Sequence, residues 1–267
     1  MTEPTMQSQI EAAQSYEGLF VPSLFGQWAP IVADAARVQP GQRVLDVACG
    51  TGVLAREVAS RVGSNGFTAG LDPAPGMLAV AKQLAPSVEW KEGTAELLPF
   101  EDRSFDAVVS QFGLMFFPDR PQAIAEMLRV MVPGGRLAVA VFDSLENIPA
   151  YAAEVELFER FAGPQAADAL RAPFVLGDRD ELVALFVDAG AASVEVKTCL
   201  GTASFPGIRI MVEADLRGWL PVMGVVLPEE QIQQILGEAE QVLSPYVGER
   251  QDATFELAAL IVTGTKP

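Results

Sequence analysis

Short, nearly continuous apolar runs alternate with stretches of helical spacing along the first half of the chain. RVLDVAC (43–49) is one such run, and helical spacing begins directly after Gly52. GFTAGLD (66–72) predicts a second strand ending in an acid, and Met77, Leu78, Val80, Ala81 and Leu84 place a helix behind it. SVEWKEG (87–93) alternates like a third strand, SFDAVVSQF (104–112) is a fourth, and DRPQAIAEMLRVM (119–131) is a helix. Pro133-Gly134-Gly135 then turns the chain into RLAVAVFD (136–143), a fifth strand. Apolar runs of this kind are strands buried on both faces, and their alternation with helices implies βαβ units. Right-handed crossovers leave a doubly wound α/β sheet as the simplest architecture.

The second half is less regular. Residues 146–172 and 207–245 have helical spacing, as do residues 5–36, with a break expected near Pro22. A helix over 177–190 ends at Gly190, and strands follow at 193–205 and 253–266. No repeat or low-complexity segment interrupts this pattern. A single domain over 1–267 is expected, with segments 1–36, 146–172 and 207–245 as a helical cap over the sheet's carboxyl edge.

The formal charge of −17 disfavours nucleic acid and anionic lipid as partners and suits neutral or cationic ligands. The two cysteines, Cys49 and Cys199, form no disulfide framework and no zinc spacing. The polar N-terminus does not resemble a signal peptide, and no apolar run reaches the roughly 18 residues of a membrane span. A cytoplasmic protein is expected, with a homodimer left open. The chain has no histidine, which removes Ser-His-Asp, Cys-His and histidine-ligated metal chemistry, and no metal is expected.

LDVACGTGVLAREVA (45–59) carries Gly50, Gly52 and Ala55 as G-x-G-x-x-A, the spacing of a nucleotide-binding turn after a strand. Asp72 ends the next strand 20 residues after Gly52, where a carboxylate meets ribose hydroxyls. Asp46 decides between ligands. Beside a pyrophosphate its charge would repel, whereas beside an ammonium it would attract. S-adenosylmethionine carries an amine and a sulfonium and no phosphate, so Asp46 favours it over NAD.

These residues resemble the class I S-adenosylmethionine-dependent methyltransferases, in the branch similar to ubiquinone and menaquinone C-methyltransferases. The resemblance runs from about Val44 to Phe142 through VLDVACGTG, LDPAPGML, GTAELLPFEDRSFDAVVSQFGLMFFPD and LRVMVPGGRLAVAVF. It implies a seven-stranded, mostly parallel Rossmann-like sheet whose last strand, 253–266, is antiparallel. It implies that Asp46, Ala48 and Gly50 hold the methionine moiety, with Gly52 among the cofactor-binding residues. Asp72 and Pro73 would lie at the ribose, Met77, Thr94 and Ala95 around adenine, and Ser110, Gln111 and Phe112 near the sulfonium. Tyr16 and Phe20 would close over the ligand. The family often has Gly in place of Ala48 and Asp in place of Thr94.

Methyl transfer requires alignment in a dry site, and a base only if the acceptor must lose a proton. Asp143, Glu146 and Tyr151 are placed to assist, but no catalytic residue is assigned. The acceptor pocket is expected to be apolar and aromatic, with Trp28, Met115, Phe116, Trp219 and Met223 as its main walls and Phe25, Phe158 and Phe161 as further candidates. The expected function is methyl transfer from S-adenosylmethionine to a small, largely apolar or aromatic molecule. A nucleoside-binding protein with a non-methylating reaction and an NAD(P)-dependent oxidoreductase remain alternatives.

Overall fold

The computed structural model describes residues 5–248 and 250–267, so the first four residues of the expected 1–36 segment lie outside the described residues. The chain opens with α1 (Met6–Phe20), runs without a break into a π-helical turn at 21–25, and continues as α2 (Trp28–Ala35). The break expected at Pro22 does not occur there. Pro22 has no amide to bond the preceding turn, and the helix widens there into the π turn, with the Val21 amide reaching back to the Tyr16 carbonyl. Regular helical bonding lapses only at Gly26-Gln27, where both residues keep right-handed helical dihedrals.

The βαβ series follows as β1 (Arg43–Val47), α3 (Val53–Val62), β2 (Phe67–Asp72), α4 (Pro75–Leu84) and β3 (Glu89–Glu92). It continues with β4 (Phe105–Gln111), α5 (Arg120–Val130) and β5 (Met131–Phe142). Pro133-Gly134-Gly135 lies inside β5, where the pairing with β4 slips between Phe105 and Ala107, and Gly134 takes φ +75°. The expected turn is therefore a kink within a continuous strand. The central strands are buried over most of their length, apart from exposed Arg43 in β1 and half-buried Asp106 and Gln111 in β4, as a parallel sheet covered on both faces requires.

Helices α6 (Pro149–Ala162), α7 (Pro164–Arg171) and α8 (Arg179–Asp188) come next. The expected 146–172 helix is divided at Gly163, whose φ of +84° leaves the helical region. Asp178 caps α8 by accepting the Asp180 and Glu181 amides. Strand β6 (Ala192–Phe205) leads to α9 (Ile208–Ala214), a second π-helical turn at 215–219, α10 (Leu220–Val222), α11 (Glu229–Val242) and β7 (Ala253–Thr265). Helices α6 and α7 pack together, and α11 packs against both α6 and α9.

The described residues form a seven-stranded sheet in the order β3-β2-β1-β4-β5-β7-β6. Strand β7 runs antiparallel to both neighbours, and the other contacts are parallel. The order reverses between β1 and β4. Beyond the carboxyl ends of those two strands lies the crevice where such sheets bind ligands. No helix among the described residues is long and apolar enough to cross a membrane.

Candidate functional site

The chain leaves β1 through a turn of left-handed residues. Ala48 has φ +58°, Gly50 +55° and Gly52 +86°. The Gly52 amide donates to the Cys49 carbonyl at 2.8 Å, and Gly52 then starts α3. Glycine is needed at position 52 for space as well as for φ. A Cβ there would lie 2.4 Å from the Trp90 indole, and one on Gly70 would lie 2.4 Å from the same ring. Asp46 pairs with Gly70, and Gly70 with Trp90, so all three share one face of the sheet. Trp90 donates its Nε1–H to the Ala85 carbonyl at 2.9 Å, which fixes the ring across both glycines. Sequence reasoning did not single out Trp90. Its signal was a glycine inside a strand, which marks a close approach by a neighbour.

Two acids lie beneath this turn. Asp72 is buried, with Oδ2 accepting the Gly50 amide at 2.8 Å and Oδ1 accepting the Ala74 amide at 2.9 Å. Burial raises its pKa, and those two amides pull the other way. Each oxygen keeps a second lone pair for an incoming hydroxyl. Asp46 is 1% exposed, and neither of its oxygens has a hydrogen-bond partner. Burial pushes its carboxyl well above the usual range, and Asp72 adds to the rise. A buried carboxylate without a donor is costly, so this position suits a group bringing positive charge and N–H donors.

The N-terminal helix covers the turn. Glu17 of α1 pairs with Arg56 of α3 at 2.7 Å, and Arg56 also donates to the Thr51 carbonyl at 2.7 Å. A Cβ on Gly76 would lie 2.6 Å from the Gln9 carbonyl oxygen, so α1 rests directly on the start of α4. Tyr16 is half-buried, with its ring 5.9 Å from Phe20 and 5.4 Å from Phe25. Burial raises the Tyr16 phenol, and the nearby Asp72 and Glu17 raise it further.

Of the other expected cofactor residues, Ser110 is fully buried with an unpartnered hydroxyl, and Phe112 is buried at φ +54°. Gln111 spends its amide nitrogen on the Phe25 carbonyl at 3.1 Å, while its Oε1 stays unpartnered. Ala95 is buried, Met77 half-buried, and Pro73 and Thr94 exposed. The structure thus brings Tyr16, Asp46, Ala48, Gly50, Gly52 and Asp72 into one cluster, with Ser110 and Gln111 ending the adjacent strand.

The expected acceptor wall divides. Phe116 and Trp219 meet with ring centres 5.2 Å apart, and the Trp219 Nε1–H donates to the Ala169 carbonyl at 2.8 Å. Met115 is buried just before Phe116. Met223 faces outward into a cavity of about 420 Å³ that it lines with Gln165, Asp168 and Ala169. Trp28 is a core residue rather than a wall: it is 0% exposed, edge-on to Phe112 and against Gly201. Phe158 is likewise core. Among the candidate assisting groups, Asp143 Oδ1 is committed to the Ser144 amide and the Asn147 side chain, and Glu146 is exposed. Tyr151 is buried beside Glu154 and Asp215, two acids that sequence reasoning passed over.

Comparisons with known proteins agree with this geometry. A family model described as a methyltransferase domain matches residues 44–135. The 2-phytyl-1,4-naphtoquinone methyltransferase of Thermosynechococcus vestitus is 41% identical over 118 residues, 43% of this chain and 52% of that protein. The chain therefore spans about half the length of that relative. The demethylmenaquinone methyltransferase of Staphylococcus carnosus is 35% identical over 188 residues, 65% of this chain and 78% of that protein. Among solved structures, phosphoethanolamine N-methyltransferase 2 of Haemonchus contortus, in complex with S-adenosyl-L-methionine, shares the fold. Its TM-score is 0.59 at 18% identity, covering 100% of this chain and 58% of that one. The chain belongs to the class I S-adenosylmethionine-dependent methyltransferases and is similar to menaquinone methyltransferases.

Proposed function

We propose that this chain transfers a methyl group from S-adenosylmethionine to a small, largely apolar or aromatic acceptor. The observation that carries the proposal is Asp46. It is a buried acid with two unpartnered oxygens at the switch point of the sheet, where a cationic amine would satisfy it. Asp72 supports the same reading, because its free lone pairs can accept ribose hydroxyls while the Gly50 and Ala74 amides hold it in place. Tyr16 and Phe20 would close the site from α1. Met77, Thr94 and Ala95 would border the base, and Ser110, Gln111 and Phe112 the methionine end. Bound there, S-adenosylmethionine supplies a methyl group already activated by its sulfonium. The chain's own part is to orient the two reactants and keep water out. The relatives named for naphthoquinone and menaquinone methylation favour a ring-bearing acceptor, which the Phe116–Trp219 contact would suit. The acidic surface favours a small molecule over nucleic acid and fits work in the cytoplasm.

Thermal unfolding with S-adenosylmethionine, S-adenosylhomocysteine, NAD and NADP added separately tests this proposal. At 100 times its dissociation constant a ligand stabilises by about 2.7 kcal/mol, or roughly 5 to 10 °C for a chain of this size. The first two should shift the transition and the nicotinamide nucleotides should not. The affinity for S-adenosylmethionine should also rise with pH. Burial favours the protonated form of Asp46 in the free protein, and a bound ammonium favours the ionised form. A shift with NAD alone would overturn the reading, and a pH-independent affinity would remove Asp46 from it.

A further inference from the structure

Between β3 and β4 the chain crosses residues 93–102 with little hydrogen bonding of its own. The Leu97 amide donates to the Thr94 carbonyl at 3.3 Å, and the Phe100 amide to the Leu98 carbonyl at 2.8 Å. The loop takes the rest of its shape from α5. Gln122, Glu126 and Arg129 lie one turn apart on one face of that helix, and between them they hold alternate residues of the loop. Gln122 Nε2 donates to the Glu96 carbonyl at 3.3 Å. Glu126 Oε2 accepts the Leu98 amide at 2.9 Å and Arg129 Nη2 donates to the Leu98 carbonyl at 3.0 Å, so Leu98 is gripped by both its main-chain groups. Arg129 Nη1 donates to the Phe100 carbonyl at 2.9 Å and to Asp102 Oδ1 at 2.7 Å.

The clamp is itself locked. Arg129 Nε and Nη2 donate to Glu126 Oε1 and Oε2 at 2.7 and 2.8 Å, a two-pronged pair that holds the Glu126 carboxyl below its usual range. Lys266, just past β7, fixes the end of α5 by donating to the Arg129 and Met131 carbonyls at 3.0 and 2.9 Å. The other end of the loop is tied to the site. The Gly93 amide donates to the Asp72 carbonyl at 3.2 Å. Thr94, Ala95 and Glu96 are therefore suspended between Asp72 and α5, with Ala95 and Leu98 buried at either side of Glu96.

We propose that Glu126 and Arg129 are positioning residues that set the selectivity for the adenine base, by holding the main chain of Thr94–Glu96 in one place. This inference rests on the reading that puts Thr94 and Ala95 beside the base, and deepens it by assigning what fixes them. Thr94 is exposed, and a hydroxyl can donate or accept, so its side chain distinguishes poorly between bases. Main-chain groups present a fixed pattern of donors and acceptors only where the backbone is held. A loop free to shift would adapt to more than one base and would have to be ordered on binding. Arginine is needed at position 129 because its planar fork meets Glu126, Leu98, Phe100 and Asp102 together. A lysine ammonium could answer the charge of Glu126 but could not span the other three.

Calorimetry with S-adenosylhomocysteine and S-inosylhomocysteine tests the proposal. The two ligands differ only in the base. Hypoxanthine has a carbonyl in place of the amine and a proton on the adjacent ring nitrogen, which inverts the pattern to be read. The wild type should prefer the adenosyl ligand by at least about tenfold. Arg129→Lys and Glu126→Ala should each reduce that preference by about threefold or more, chiefly through weaker adenosyl binding. Arg129→Lys keeps the charge and the stem, so it remains informative if Glu126→Ala does not fold. Ile235→Ala, in the core under α11, is the control for lost stability and should keep the preference. An unchanged preference in Arg129→Lys, an equal fall in Ile235→Ala, or a wild type that binds both ligands alike would each overturn the proposal and leave the cofactor reading standing. A wild type that binds neither ligand would overturn the methyltransferase reading, and this inference with it.

Discussion

Among the buried acids of the described residues are two neighbouring pairs, Asp46 with Asp72 and Glu154 with Asp215, and the two pairs are held in opposite ways. Asp72, at the end of a strand, is met by the amides of Gly50 and Ala74, because a turn leaves main-chain donors free. Glu154 lies within α6, where the amides beyond the first turn are committed to the carbonyl four residues back, and no donor reaches either of its oxygens. Asp215 opens a π turn in the same helical layer and keeps one oxygen unpartnered. A buried acid in a turn can thus be held by the fold alone. A buried acid in mid-helix depends on a donor from elsewhere, a neighbouring loop's amide as Glu126 has from Leu98, or else on side chains, a shared proton or a ligand. Asp46 falls between the two cases: it lies beneath the turn, yet no donor reaches either oxygen.

The largest expected effect tests the turn. Asp72→Ala removes the acceptor for two amides and for the ribose. Hydrogen bonds to a charged group are worth about 1.5 to 3 kcal/mol each, so the loss should weaken S-adenosylhomocysteine binding by about 100-fold. Calorimetry measures it directly. A change under threefold would mean that the turn holds its shape and its ligand without Asp72, and the contrast between the two pairs would disappear.

The next effect tests the helical pair through stability. Burial raises both folded carboxyls above their unfolded values, so the folded state holds more protons than the unfolded chain. Their contribution is fully present below the ordinary carboxylate range and is lost as pH rises through the raised folded values. Asp215→Asn removes the charge and supplies an N–H₂ donor to Glu154. Above neutrality it should be more stable than wild type by about 1 to 2 kcal/mol, with the difference vanishing in acid. Denaturant melts across pH read this out. Equal slopes in the two proteins would mean that the pair is solvated, not buried.

The difference between the pairs also explains what could be read from the chain beforehand. The turn was legible because main-chain geometry constrains sequence locally: Gly50 and Gly52 need left-handed φ, and Asp72 must end the adjacent strand. Four of the five parallel strands were legible because burial on both faces forces apolar runs such as RVLDV, whereas the edge strand β3, partly exposed, was legible by its alternation. Glu154 and Asp215 are 61 positions apart, in helices whose spacing says which face is buried but not what it meets. Trp28 was misplaced as a pocket wall for the same reason, since a buried aromatic reads alike in a core and in a site. Trp90 shows the intermediate case, a contact implied by Gly70 that only strand pairing reveals.

The smallest effect tests how tightly the turn is built. Ala48 sits at φ +58°, a left-handed conformation that costs an L-residue about 1 to 2 kcal/mol relative to glycine. Glycine there would relieve that strain but lose roughly 0.5 to 1 kcal/mol to the greater freedom of the unfolded chain. Ala48→Gly should therefore stabilise by no more than about 0.5 to 1 kcal/mol, near the limit of a denaturant melt. A double-mutant cycle with Gly113 makes the contact measurable. Gly113 has φ −106°, which alanine tolerates, yet its Cβ would lie 2.6 Å from that of Ala48. Gly113→Ala should destabilise the wild type by crowding, and Ala48→Gly should recover much of that loss, giving a coupling of about 1 kcal/mol. Additive effects would mean that the turn can shift to make room. In that case the main chain holds the ligand side less rigidly than Asp72 and its two amides imply, and the turn would depend on a ligand for its shape, as the helical pair does for its charge.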